Sequence, residues 1–209
     1  VQQGGFHNTV KLRGMVAEPL KESHVTYGER FYATRLRVPR LSHACDLLPI
    51  TISERLLSGY MPQVDSIVTI IGQLRSYNQY IDGASRLILT VFAKDIIFAD
   101  TQEGFLNFIA LKGHICKPPI YRTTPFGREI ADILLAVNRA FRKSDYIPCI
   151  AWGRLARYAQ NLSMGDMISI SGRMQSRIYE KTLPDGSVVE KTAYEVSIGS
   201  LEKNQEVTV

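Results

Sequence analysis

The side chains of this 209-residue chain that could do chemistry fall into two groups, one scattered and one clustered. His7, His24, His43 and His114 share no motif and no metal-ligand spacing. Cys45, Cys116 and Cys149 lie too far apart for a C-x-x-C pair and are odd in number, which disfavours a disulfide framework. No Ser/His/Asp arrangement, phosphate-binding Gly-rich loop or zinc pattern occurs, so no catalysis, cofactor or metal is expected. Asp145 and Asp166 lie beside turns and read as residues that cap or solvate them. The clustered group spans 139 to 179. Arg139, Phe141, Arg142 and Lys143 stand close together, Tyr146, Ile150 and Trp152 occupy even positions, and Arg173, Gln175, Arg177 and Tyr179 occupy odd ones. Flat rings among guanidinium groups suit unpaired nucleic-acid bases, because any base can stack on a ring while cations track the phosphates. The same pattern also fits aromatics that simply favour strands, with Trp152 capping a hydrophobic core.

These residues need strands to face them one way, and the apolar positions supply the strands. Ile109, Leu111, Gly113 and Ile115 alternate at period two, as do Leu135 and Val137, then Ile147, Cys149 and Ala151. Residues 153–162 carry Leu155, Ala156, Ala159 and Leu162 at helical spacing before Gly165 and Asp166 break the pattern. Ile168, Ile170, Gly172 and Met174 begin a fourth strand, 183–187 forms a turn, and 192–198 returns as a fifth.

The pattern occurs twice. At an offset of 99, Asn8, Leu12, Gly14, Pro19, Gly28, Leu36, Val38, Arg40, Pro49, Arg55 and Leu56 meet identical residues. At an offset of 100, Ile70, Gly72 and Ser76 do the same. The first copy has its own first strand (Val10, Leu12, Gly14, Val16), a helix within 53–61 and a turn at Asp82 and Gly83. The expected fold is therefore all-β: two tandem OB-fold five-stranded barrels, 6–100 and 105–203, each with one short helix between strands 3 and 4. Residues 100–104 read as a polar linker, and 1–5 carry no pattern. Mid-strand glycines such as Gly14 and Gly72 suit the coiling that small barrels require.

On the outward faces the copies differ. Ser42, Leu47, Thr51, Ser53 and Gln79 stand where the second copy has Phe141, Tyr146, Ile150, Trp152 and Tyr179. Only Tyr77, Tyr80, Arg35, Arg37, Arg40 and Arg75 compensate, so Arg40, Arg75, Tyr77 and Tyr80 form at most a secondary binding set. Residues 1–103 hold 11 basic and 10 acidic side chains and 104–209 hold 14 and 10, so +4 of the net +5 belongs to the second copy. That balance and a pI near 9.1 mildly favour a polyanionic partner. With 45% hydrophobic and 22% charged residues and a mean hydropathy of -0.06, the chain has an ordinary globular composition. Its longest apolar runs, 67–71 and 87–93, fall well short of the roughly 18 residues a membrane helix needs. No basic-then-apolar leader opens it, so the expectation is a reducing, cytoplasmic setting without a membrane.

From Asn107 onward the residues resemble the bacterial single-stranded DNA-binding proteins. Leu-Ala-Val-Asn-Arg at 135–139, the Tyr-Ile-x-Cys-x-x-Trp-Gly-x-Leu-Ala stretch at 146–156, Gly-Arg-x-Gln-Ser-Arg-x-Tyr at 172–179 and residues 192–196 carry the likeness. The resemblance implies that Phe141, Tyr146, Trp152 and Tyr179 stack bases and that Arg139, Arg154, Arg173 and Arg177 accompany the strand. It implies single-stranded DNA as partner, bound with little sequence preference in replication, recombination or repair. It also implies a homodimer that brings four OB-folds together. The acidic, hydrophobic tail tip through which family members recruit proteins has no counterpart in 199–209, so tail-mediated recruitment is not carried over. A second non-enzymatic reading is an OB-fold accessory, for protein interaction or replication restart, whose main partner is a protein. Phe108, Ala110, Leu134 and Ala136 are apolar where the first copy has Thr9, Lys11, Arg35 and Arg37. That patch is expected either to make the dimer or to pack on the first copy.

Overall fold

A computed structural model describes residues 7–42, 44–81, 83–98, 104–183 and 185–204. Most of the expected linker, residues 1–5, and His43, Asp82 and Pro184 lie outside them. The first copy runs β1 (Asn8–Val16), β2 (Lys21–Thr26), β3 (Glu29–Pro39), β4 (Cys45–Ser53), α1 (Glu54–Leu57), β5 (Ile67–Ile81) and β6 (Ala84–Phe98). The second repeats it as β7 (Leu106–Ile115), β8 (Ile120–Thr123), β9 (Glu129–Arg139), β10 (Lys143–Trp152), α2 (Arg154–Ala159), β11 (Met167–Thr182) and β12 (Val188–Lys203). Each copy closes on itself. β1 meets β5 along one edge and β3 at its end, while β4 pairs in parallel with β6. β7, β9, β10, β12 and β11 repeat that circuit. These are the two five-stranded OB barrels, with the helix after the third barrel strand.

The repeated residues have structural reasons. The inward row of each barrel, Val10, Leu12, Leu36, Ile50, Ile70 and Leu74 in the first and Ile109, Leu111, Leu135, Cys149, Ile170 and Met174 in the second, forms one buried cluster. Asn8 and Asn107 hold the fourth barrel strand with both ends of the amide. Asn8 donates to the Leu74 carbonyl at 2.7 Å and accepts from its amide at 2.8 Å, and Asn107 does the same to Met174 at 2.7 and 2.9 Å. Gly172 sits at a register shift of β11 against β12. A Cβ there would lie 2.1 Å from the Ser197 carbonyl oxygen, so only glycine lets the strands coil that closely.

Two features depart from the sequence expectation. β2 and β8 are additional short strands hairpinned onto β3 and β9. Every residue of β2 is exposed, so no apolar alternation marks it. The helices are one turn or little more, because Ser58 adopts a left-handed conformation after α1 and Leu162 is already in the turn that follows α2.

The barrels join edge to edge. β1 pairs antiparallel with β7, Asn8 opposite Leu111 and Leu12 opposite Asn107, so a pseudo-twofold axis relates the copies. Phe108 and Ala110 lie opposite Lys11 and Thr9 in this ladder, yet the Phe108 ring remains 43% exposed. The long hairpin of each barrel reaches the other barrel's third strand. Asp46 accepts from the Ser176 amide at 2.7 Å and hydroxyl at 3.0 Å, and Asp145 accepts from the Ser76 amide at 2.8 Å. Both carboxylates are fully buried.

Candidate nucleic-acid interface

β9 and β10 are joined by a tight loop whose Phe141 and Arg142 both take left-handed backbone angles, φ 63° and 54°. Non-glycine residues rarely adopt that region, and two in succession store strain that a surrounding structure must hold. The consequence is a ring projected from the tip, 93% exposed, beside the exposed Arg142 and Lys143. Along β10 the side chains of Asp145, Ile147, Cys149 and Ala151 are buried, and Tyr146 is half exposed. Trp152 ends the strand half-buried, with Nε1 donating to Ser197 Oγ at 3.2 Å on β12, so the indole N–H is satisfied while the ring covers the barrel face. Gly153 follows with φ 52° and turns the chain into α2, whose first residue Arg154 is exposed.

β11 carries the alternating row, which becomes exposed only from Arg177 onward. Arg173 is half-buried in a cleft of about 600 Å³ between the barrels, shared with Arg40, Asp46, Phe105 and Asn107. Gln175 is only 6% exposed, donating to Glu195 Oε1 at 2.7 Å, so the outward face is already covered there. Arg177 is exposed, with Nε 3.9 Å from Glu195 and its guanidinium carbon 5.6 Å from the centroid of the Tyr179 ring. The guanidinium thus forms a cation–ring contact with a ring that stays 37% exposed.

Arg139, Arg75 and Arg40 have partners at the junction of the barrels. Arg139 Nε stands 3.7 Å from Asp145 Oδ2, and Arg75 Nη1 donates to the same oxygen at 3.0 Å. Arg40 donates from Nε at 2.8 Å and Nη2 at 2.5 Å to the two oxygens of Asp46, and Nη2 also reaches the Ser176 carbonyl at 2.7 Å. Burial alone would push the Asp46 carboxyl up, but hydrogen bonds from Arg40 and the Ser176 amide outweigh it and hold it below the usual carboxylate range. The same hydrogen bond raises the Arg40 guanidinium above its ordinary value. Asp145 therefore does not cap a turn: its partners are Ser76 and Arg75, 69 and 70 residues away. Asp166 does cap, accepting from the Ser163 amide at 2.9 Å and pairing with Lys203 at 2.8 Å.

The junction also brings the first copy to the second copy's rings. Tyr146 N donates to Ser76 Oγ at 2.7 Å, and the next residue along β5, Tyr77, is half exposed. Tyr80 is further out on that hairpin and 77% exposed. Sequence reasoning missed the carboxylates that build this junction, although Asp46 and Asp145 are themselves separated by 99 positions, which is the signal that could have found them.

Among the described residues no group of three or more His, Cys, Asp and Glu could hold a metal, and no helix is long and apolar enough to cross a membrane. The second closed OB barrel thus presents exposed rings at Phe141, Tyr146 and Tyr179 and exposed arginines at Arg142, Arg154 and Arg177. Residues 106–203 match the model of the single-strand binding protein family. The chain is 44% identical over 82 residues to single-stranded DNA-binding protein 1 of Staphylococcus aureus strain COL, covering 36% of this chain and 49% of that protein. It is 40% identical over 82 residues to single-stranded DNA-binding protein A of Bacillus subtilis strain 168, covering 36% and 48%. The chain thus spans about half the length of the curated relatives it matches. Across both barrels the fold is similar to the wild-type single-stranded DNA-binding protein of Thermus aquaticus, with a TM-score of 0.76, 20% identity and coverage of 97% and 95% of the two chains. The family match thus falls on the second barrel of this chain.

Proposed function

We propose that the chain binds single-stranded DNA with little sequence preference, in replication, recombination or repair. Bases stack on Phe141, Tyr146, Trp152 and Tyr179, while Arg142, Lys143, Arg154, Arg173 and Arg177 meet the phosphates. Arg139 contributes from the edge of the junction. The observation that carries this reading is Phe141, a ring displayed at 93% exposure by a left-handed backbone, on the barrel that matches the family. A ring held out by strain has no role in the core and suits a ligand. The protein is a binder and not an enzyme, its two domains are 6–100 and 105–203, and its setting is the cytoplasm. The exposed Phe108 ring on β7 supports a homodimer with four OB-folds. Arg40 and Arg75, tied to Asp46 and Asp145, serve mainly to join the barrels, and Tyr77 and Tyr80 border the main site.

Alanine replacement of single rings tests the assignment. Phe141→Ala and Tyr179→Ala should each weaken oligo-dT binding by about 1–3 kcal/mol, roughly 5- to 150-fold, with unchanged thermal unfolding. Tyr77→Ala and Tyr80→Ala should cost less, and the reverse order in folded variants would move the main site to the first barrel.

A further inference from the structure

The first barrel lacks a ring where the second has Trp152, but the strand register shows that the ring has moved and is not lost. β10 and β12 set Ile150 opposite Ser197, the residue that accepts from Trp152. β4 and β6 set Thr51 opposite Phe92 in the same parallel pairing. Ser53 therefore stands for Trp152, and Phe92 stands for Ser197. Val91 and Ala93 on either side of Phe92 are buried in the barrel interior, so alternation turns the Phe92 ring to the outer face, where it is half-buried.

Phe92 does not stand alone. Phe31 on β3, opposite Ser53, places its ring centroid 5.7 Å from that of Phe92, and His24 on β2, opposite Phe31, stacks on Phe31 at 4.8 Å and 9°. Phe31 is only 9% exposed although it lies outside the interior cluster, so these flanking rings contribute to its burial on the outer face. The exposed Lys94 holds its ammonium 5.6 Å from the Phe92 centroid. The rings thus cross the outer face of the first barrel from β2 to β6, ending in an exposed imidazole on one side and a cation on the other.

We propose that this row is a second base-stacking surface for single-stranded DNA, built from other strands than the first site, with bases on Phe92 and His24 and Lys94 at a phosphate. It rests on the proposed function of the chain and extends it to the first barrel. One OB-fold occupies about 4–16 nucleotides, so a strand of roughly 30 would engage both surfaces and one of roughly 8 would be held by the second barrel. Short-wavelength ultraviolet crosslinking of the full chain with the longer oligo-dT, followed by peptide mapping, tests this without any substitution. The expected map includes peptides bearing Phe92 or His24 beside those of the second barrel. Phe92→Leu, which keeps bulk and removes the ring, should weaken the longer strand about 5-fold or more and the shorter one little, and Lys94→Ala should weaken the longer strand by a smaller factor. Crosslinks confined to the second barrel at saturation overturn the second surface, and crosslinks in neither barrel overturn the DNA-binding reading itself. A folded Phe92→Leu with wild-type affinity for the longer strand also overturns the second surface.

Discussion

Removing the Asp46 carboxylate should loosen the junction between the barrels and with it the hairpin that carries Tyr179. Asp46 is fully buried and receives four hydrogen bonds, two from Arg40 and two from Ser176. Asp46→Ala leaves the Ser176 amide and a guanidinium only 25% exposed without their acceptor. Breaking one side of a buried pair costs about 3–5 kcal/mol, and the partial exposure of Arg40 places this case near the lower figure, about 3 kcal/mol. For a chain of this size that is a fall of roughly 6–12 °C in the thermal midpoint. The pH dependence gives a second reading. The Asp46 carboxyl is held below its ordinary value, so its contribution is fully present above the unfolded value of about 3.9 and fades as pH falls through the folded one. Thermal unfolding of wild type and variant from neutral to acid pH should therefore show a gap that is constant down to about pH 4 and narrows below it. Ser176 is three residues before Tyr179, so the variant should also bind oligo-dT more weakly at a temperature where it is still folded. A midpoint within roughly 2 °C of wild type, less than about 1 kcal/mol at this size, would refute the reasoning, as would a gap that does not narrow in acid.

Gly172→Ala should destabilise by about 1–3 kcal/mol, because its Cβ would meet the backbone carbonyl oxygen of Ser197 at 2.1 Å and a strand would have to shift to admit it, and thermal unfolding measures it. Replacing Phe108 and Leu134 by Glu should convert a dimer to a monomer in a solution mass measurement; a wild type already monomeric removes the dimer, and an unaltered dimer removes the patch. Cys45, exposed at the start of β4, should react with a thiol reagent in the folded chain. Cys149 should stay unmodified until unfolding, since burial pushes its thiol up and closes access.

The barrels were legible because each strand buries one face, so Leu12, Leu36, Ile70 and their repeats announce period two, and a duplicated chain states every position twice. The rings of the second copy were legible for the same reason, since Tyr146 occupies an outward register beside Asp145 and Ile147. What stayed hidden depends on pairing across the chain. Asp145 looks like a turn cap locally, and its partners on β5 can be found only once β1 and β7 are joined. β2 is exposed on both sides and carries no pattern. Aligning the copies by position sets Ser53 against Trp152 and reports a loss, whereas the ring in the first barrel arrives from β6, which only the parallel β4–β6 pairing reveals.

The central claim is that unpaired DNA lies across the rings and cations of the second barrel. Trp152 is the chain's one tryptophan and sits in that surface, so its fluorescence during an oligo-dT titration reads the site directly. The account predicts quenching on binding, with an affinity that falls linearly with salt on logarithmic axes at about -0.7 per phosphate neutralised, and weak competition from duplex. Unchanged Trp152 emission at saturation, an affinity indifferent to salt, or duplex bound as tightly as single strand would contradict it.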